Sequence, residues 1–304
     1  MFPVVTVNSH RAESLEQLGT KRKYWYADGE RRLLFKAEER GTGEDWAEKL
    51  SCELAGHLGL PHVIYELAEE VGTWTPGVVC ETCSPPPWSL VMGNQLLLAR
   101  DPGYPADNEQ KYKVRQHTVA AVADVLGHLQ LPPQAWVTKL PHGITTAADV
   151  FIGYILLDTW VANQDRHHQN WAALRRDDEL YLCPTFDHGA SMARNLADAE
   201  RGERMTTRDV NRQVAAFVRK ARSAFYGEAT DAKPLLTFEA WRDFALLSPS
   251  AAATWVAQLR KIEEDTVDGL LVQVPPTRMS ATCREFTRRL LAENRRRLLE
   301  AGGP

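Results

Sequence analysis

Asn163-Gln-Asp-Arg-His-His-Gln-Asn170, followed by Phe186-Asp187-His188-Gly189, is the stretch on which the fold turns. An apolar run through Val150, Phe151, Ile152, Tyr154, Ile155, Leu156 and Leu157 leads into it. The order is a buried element, a polar loop, a strand-like return over residues 180–186 and a second polar loop. Asp165 and Asn170 are five residues apart, and Asp187 comes seventeen after Asn170. A hairpin turning at Asp177-Asp178 brings Asp187 back beside Asn170. Two carboxylates and an amide in adjacent loops suit a centre that works by positioning and charge neutralisation, the requirements of phosphoryl transfer. The Asp165-to-Asn170 spacing is also that of the base and metal-binding amide in kinase catalytic loops.

Toward the N-terminus the signals change from helix to strand. Residues 4–7, 23–26, 33–36, 63–67 and 77–82 are short β-branched or aromatic runs separated by turn residues. Asp28-Gly29 supplies the positive-φ positions of a tight turn, so residues 23–36 read as a hairpin ending on Lys36. After Gly41-Thr-Gly43, Trp46, Ala47, Leu50, Leu54, Ala55 and Leu58 recur at helical steps, and Gly59 and Pro61 stop that helix. Glu48 lies on it, where it could pair with Lys36 and hold the lysine on phosphates.

The prolines at 85–87 cannot join a central strand, which places a boundary between residues 1–83 and 84–304. Past a loop at 101–112, helices are expected over 114–129, 149–162, 207–224, 238–246, 249–264 and 280–301, with Pro249 in a first turn and Ser280 as an N-cap. The expectation is an α+β fold of two lobes: a small β-rich lobe with one helix, then a larger helical one. A ligand cleft belongs between them.

At 304 residues and 44% apolar content the chain has material for a sizeable core. Its net charge of −4 lacks the basic excess of a dedicated nucleic-acid binder. No apolar run reaches membrane-spanning length and no export signal opens the chain, so a soluble, cytoplasmic protein is expected. Five scattered cysteines point to free thiols.

Together, Asn163-x-Asp165-x-His167-x-x-Asn170, Asp187, Lys36 and Glu48, twelve residues before Leu60, resemble the HipA-like serine/threonine kinases. Leu18-Gly-Thr-Lys21 and Gly93-Asn94 resemble the compact CtkA-type members of that group, and the likeness covers most of the chain. The resemblance implies a protein-kinase-like fold and a bacterial enzyme transferring phosphate from ATP to serine or threonine of a protein. It implies Asp165 as base, Asn170 and Asp187 on Mg2+, and Lys36, supported by Glu48, on the phosphates, while His167 is read as orienting the loop or touching the transferred phosphate. It also implies phosphate contacts from Gly19, Thr20 and Lys21, and adenine contacts from Val79, Cys80, Glu81 and Thr82. Autophosphorylation at Ser14 or Thr20 and an antitoxin-like partner protein belong to the same expectation.

The sequence departs from that pattern in two places. Gln169 stands where the motif carries a lysine, and the phosphate loop holds a single glycine, Gly19. Asp165-Arg-His-x-x-Asn170 also resembles the catalytic loop of phosphatidylinositol kinases, which keeps a lipid headgroup open as acceptor. A nucleotide-binding regulator with little turnover is a further alternative. His167, His168 and His188 near two aspartates invite a metallohydrolase reading, and Cys80-x-x-Cys83 has zinc spacing without a second pair. The arginines 288, 289 and 295–297 read as a solvated helix face.

Overall fold

The computed structural model describes residues 1–15, 22–107, 110–137 and 140–302. Gly19, Thr20 and Lys21 fall outside these residues. Strands β1 (Val4–Val7), β2 (Ala12–Leu15), β3 (Lys23–Asp28) and β4 (Arg31–Ala37) open the chain, and helix α1 (Glu44–Leu58) follows. Strands β5 (Tyr65–Glu70) and β6 (Pro76–Glu81) complete a six-stranded sheet in the order β1-β5-β6-β4-β3-β2. Only the β1–β5 pair is parallel.

Period-two alternation decides which side chains of this sheet matter. Tyr24, Tyr26, Leu33, Phe35 and Val79 form a cluster on one face. Leu34 and Lys36, opposite Cys80 and Val78 in the register, point to the other face and the cleft. Gly29, at φ +62°, makes the β3–β4 turn as the Asp-Gly pair predicts. Helix α1 ends between two left-handed glycines, Gly43 (φ +80°) and Gly59 (φ +77°), and packs its apolar stripe on β5 and β6.

The rest is mainly helical: β7 (Ser89–Met92), α2 (Gly93–Arg100), α3 (Val119–Leu126), α4 (Ala147–Trp160), β8 (Ala172–Arg176) and β9 (Glu179–Leu182) come first. After them run α5 (Asp198–Thr206), α6 (Val214–Val218), α7 (Thr237–Ala245), α8 (Pro249–Lys261), α9 (Glu264–Gln273) and α10 (Ala281–Ala301). Strands β7, β8 and β9 form a second, antiparallel sheet. Helix α4 is buried on nearly every side against α3, α7, α8 and α10. A capping box of Thr146 and Asp149 sets its start.

Several helical expectations are corrected. Residues 207–224 do not form one helix: Thr207 Oγ1 and Asp209 Oδ1 capture the backbone N–H groups of Asp209 and Asn211, at 3.1 and 2.9 Å, and break the ladder between α5 and α6. The 114–129 helix shrinks to α3 because the Thr118 side chain caps the Ala121 N–H. The helix expected over 249–264 ends at Lys261, and α9 and α2 were not anticipated. The strand expected over 180–186 stops at Leu182, beyond which Thr185 bridges to His62.

Candidate active site

Helix α4 delivers the loop that carries Asp165. A left-handed residue, Ala162 (φ +53°), turns the chain off the helix end. Asn163 donates from Nδ2 to Asp158 Oδ1 at 2.8 Å, and its own Oδ1 accepts the Asp165 N–H at 3.1 Å. Asn170 closes the loop, its Nδ2 donating to the Asp165 carbonyl at 2.7 Å. Its Oδ1 accepts no hydrogen bond among the described residues.

Arg166 is the buried fastener of this loop, at 2% exposure. Its guanidinium grips both oxygens of Asp158 at 2.7 and 2.8 Å and donates to the Asn170 and Phe186 carbonyls at 2.7 and 3.1 Å. It also donates to His188 Nε2 at 2.8 Å. One side chain thus ties α4, the Asp165 loop and the Asp187 loop together. Sequence reading passed over Arg166 and Asp158, although an aspartate at the end of an apolar run signals a buried acid in need of a cation. From the other side, the Gly93 and Asn94 N–H groups at the start of α2 donate to the Trp171 and His168 carbonyls at 2.8 and 2.7 Å.

Asp187 sits at φ +60°, which turns its carboxylate onto Lys36 Nζ at 3.0 Å. Lys36 also donates to the Tyr65 hydroxyl at 3.2 Å and lies 4.9 Å from that ring's centre. Burial works to raise the Asp187 carboxyl, yet the charges of Lys36 and Lys23 outweigh it and hold the group far below the usual carboxylate range. Burial works equally against charge on Lys36, and Asp187 and Glu48 together keep it protonated.

The expected Lys36–Glu48 pair is replaced by a different arrangement. Glu48 Oε1 accepts the His188 N–H at 2.9 Å, so the acid anchors the Asp187 loop while Lys36 takes Asp187 as its direct partner. A Cβ on Gly189 would lie 3.0 Å from Glu48 Oε2, so the carboxylate would have to give by a few tenths of an ångström to admit one.

His167 stands beside Asp165, its Nε2 3.4 Å from Oδ1. The Gln169 N–H donates to His167 Nδ1 at 3.1 Å, so the ring proton is on Nε2 and faces the carboxylate. Burial first, then the charge of Lys111, pushes His167 down to about 3 and keeps it neutral.

Lys36, Glu48, Asp165, His167, Asn170 and Asp187 line one cleft of about 510 Å3. Leu34, Val78, Cys80, Met92 and Phe186 give it an apolar side, and Glu81, Thr82 and Cys83 edge it. Val79 does not line the cleft, since alternation along β6 sends it into the cluster on the opposite face. Ser14 is exposed on β2. A more open groove of about 620 Å3 follows α10, where Arg288, Arg289 and Arg296 pair with Glu285, Glu293 and Glu300 of the same helix. These charges satisfy one another rather than converge on a ligand.

The cysteines are free thiols, and among the described residues no three His, Cys, Asp or Glu side chains gather as a metal set. An ionised Asp187 and an unengaged Asn170 Oδ1 on one cleft instead suit Mg2+, which binds through one or two protein oxygens plus substrate phosphates.

No family model and no curated protein sequence matches the chain. Among solved structures, the proinflammatory kinase CtkA of Helicobacter pylori superposes with a TM-score of 0.74 at 16% identity, over 99% of this chain and 96% of that one. HipA of Shewanella oneidensis MR-1, solved with HipB and operator DNA, superposes with a TM-score of 0.56 at 11% identity, over 94% of this chain and 65% of that one. The chain therefore has the two-lobed α+β fold of the HipA-like and CtkA-type kinases.

Proposed function

We propose that this protein is an ATP- and magnesium-dependent phosphotransferase acting on serine or threonine of a protein. The observation that carries the reading is the convergence of Asp165, Asn170, Asp187 and Lys36 on one cleft with an apolar side. The lobes divide near residue 83 in this reading, and the apolar side between Leu34, Val78 and Cys80 takes the adenine. Lys36 meets the phosphates. Magnesium, held by Asn170 Oδ1 and the Asp187 carboxylate, supplies neutralising charge to the nucleotide when bound.

Asp165 accepts the proton of the acceptor hydroxyl as that oxygen bonds to the γ-phosphorus. The bond from phosphorus to the β,γ-bridging oxygen breaks, and its electron pair leaves with ADP. Neutral His167, with its Nε2–H toward Asp165, holds the carboxylate in place without taking its proton. Ser14 and Thr20 are the acceptors proposed for autophosphorylation, and an antitoxin-like protein is the proposed partner.

Incubation with labelled ATP and a protein lysate, followed by phosphopeptide mapping, tests the reading. The Asp165→Asn protein should keep its Mg-ATP affinity by calorimetry and lose transfer by roughly 10²–10⁴-fold, the usual worth of a general base. Full transfer by that variant would remove Asp165 from its role. Label in lipid instead of protein would favour the phosphatidylinositol-type acceptor, and binding without turnover the regulator. No helix among the described residues is long and apolar enough to cross a membrane.

A further inference from the structure

With Gln169 neutral and Arg166 buried on Asp158, the loop that holds Asp165 turns no cation of its own to the cleft. A phosphoryl group in transit spreads negative charge over three oxygens, and a neutral amide at this position neutralises none of it. The cleft is lined by other cations, but two have fixed partners on its walls. Lys36 is bound to Asp187 and Tyr65, and Arg194 pairs with Glu44 and Thr42.

Lys111 differs in both origin and surroundings. It comes from a separate single-turn helix (Lys111–Lys113) and lines the same cleft as Asp165, His167 and Gln169. Among the described residues no carboxylate lies within ion-pair distance of it. Lys111 is half-buried rather than out in solvent, and its charge acts on both His167 and His168. Residues 104–106, earlier in the chain, are tied to the loop and to α2: the Tyr104 hydroxyl bonds His168 Nδ1 at 2.9 Å, and the Ala106 carbonyl accepts from Asn94 Nδ2 at 3.0 Å.

We propose that Lys111 is a catalytic residue that supplies the cation Gln169 lacks, its ammonium meeting the γ-phosphoryl oxygens of ATP as they pass to the acceptor. The assignment rests on the phosphotransferase reading. The ammonium keeps its three protons throughout, while the acceptor proton goes to Asp165 and the bridging oxygen leaves with ADP. Because Lys111 acts on the γ-group alone, its removal separates nucleotides that have one from those that do not.

The test compares wild type, Lys111→Met and the double variant Lys111→Met with Gln169→Lys. Affinities for Mg-ADP and Mg-AMP-PNP are measured by calorimetry alongside transfer rates. Lys111→Met should bind ADP as wild type does, bind AMP-PNP more weakly by about tenfold, and transfer more slowly by about 10²–10³-fold, the cost of one lost charge-stabilising contact. Gln169→Lys in that background should restore most of both losses. Unchanged AMP-PNP affinity and rate in Lys111→Met would overturn the assignment, as would an equal loss for ADP and AMP-PNP or a double variant no better than the single one. A wild-type protein binding neither nucleotide would fell the phosphotransferase reading itself, and Lys111 with it. Melting temperatures of all three proteins identify any loss that comes from misfolding.

Discussion

At the scale of single residues, one buried and one half-buried charge pair hold the site and the small sheet. Arg166 and Asp158 are 2% and 4% exposed, and breaking such a pair costs more than deleting it, because a lone charge is left without water. Arg166→Met should therefore destabilise the protein by about 3–5 kcal/mol in denaturant melts. Asp158→Leu added to it should recover much of that loss. A single variant within about 0.5 kcal/mol of wild type, the range of ordinary surface changes, would show that the pair does not hold the two loops.

The second pair is titratable. Glu70 accepts from both terminal nitrogens of Arg22 at 2.6 Å and from the hydroxyls of Thr73 and Tyr24 at 2.6 and 3.2 Å. The Arg22 bond, outweighing burial, lowers the carboxyl to about 2. A depressed value means stability that is present above the ordinary carboxylate value of 4.5 and is lost as pH falls toward about 2. Glu70→Gln should cost about 1–2 kcal/mol at pH 7, a figure discounted because the arginine is 35% exposed. The gap to wild type should narrow below about pH 4.5 and be constant above pH 6. A gap that is flat from pH 7 to 3 would contradict the linkage.

At the scale of elements, glycines decide how closely helices approach the Asp165 loop. A Cβ on Gly93 would sit 2.3 Å from the Trp171 ring and 2.7 Å from the His168 carbonyl, so α2 docks only with glycine at its first position. Gly93→Ala should cost about 1–3 kcal/mol by overpacking and should slow turnover by displacing the loop. Gly202 in α5 meets nothing within 4 Å, and Gly202→Ala should be neutral or stabilising by up to about 1 kcal/mol. Thermal melts of the two variants check the contrast. Equal behaviour would mean that the approach of α2 to the loop is not close.

At the scale of the molecule, the lobes share one core. The main cluster runs from Trp46, Leu50 and Leu58 of α1 into Phe151 and Leu157 of α4 and Trp255 of α8. Arg278 crosses between them, donating to Asp45 and, at 2.7 Å, to the Ala68 carbonyl. The Val63 N–H donates to the Thr185 carbonyl at 3.0 Å, and the Phe2 N–H to the Gln273 carbonyl at 2.8 Å. With this continuity the chain should unfold in a single calorimetric transition despite its two lobes. Two resolved transitions, or a calorimetric enthalpy well above the van't Hoff value, would show that the lobes unfold separately.

What the sequence alone determined lies where local chemistry is enough. The limits of α1 follow from Gly43 and Gly59, the start of α10 from the Ser280 cap, and the β3–β4 turn from Asp28-Gly29. The motif spacing likewise named Asp165, Asn170, Asp187 and Lys36, all of which line the cleft. Only the tertiary structure decided the partners: Lys36 on Asp187 instead of Glu48, Val79 turned away from the cleft, and Asp158 matched to Arg166. The same limit applies to residues 207–224, where side-chain oxygens outcompeted the helix ladder. The physical reason is that spacing along a chain sets which groups are near in sequence. Which buried charge meets which is settled only when distant elements pack, and so Lys111, from a turn far from the motif, came to line the same cleft as Gln169.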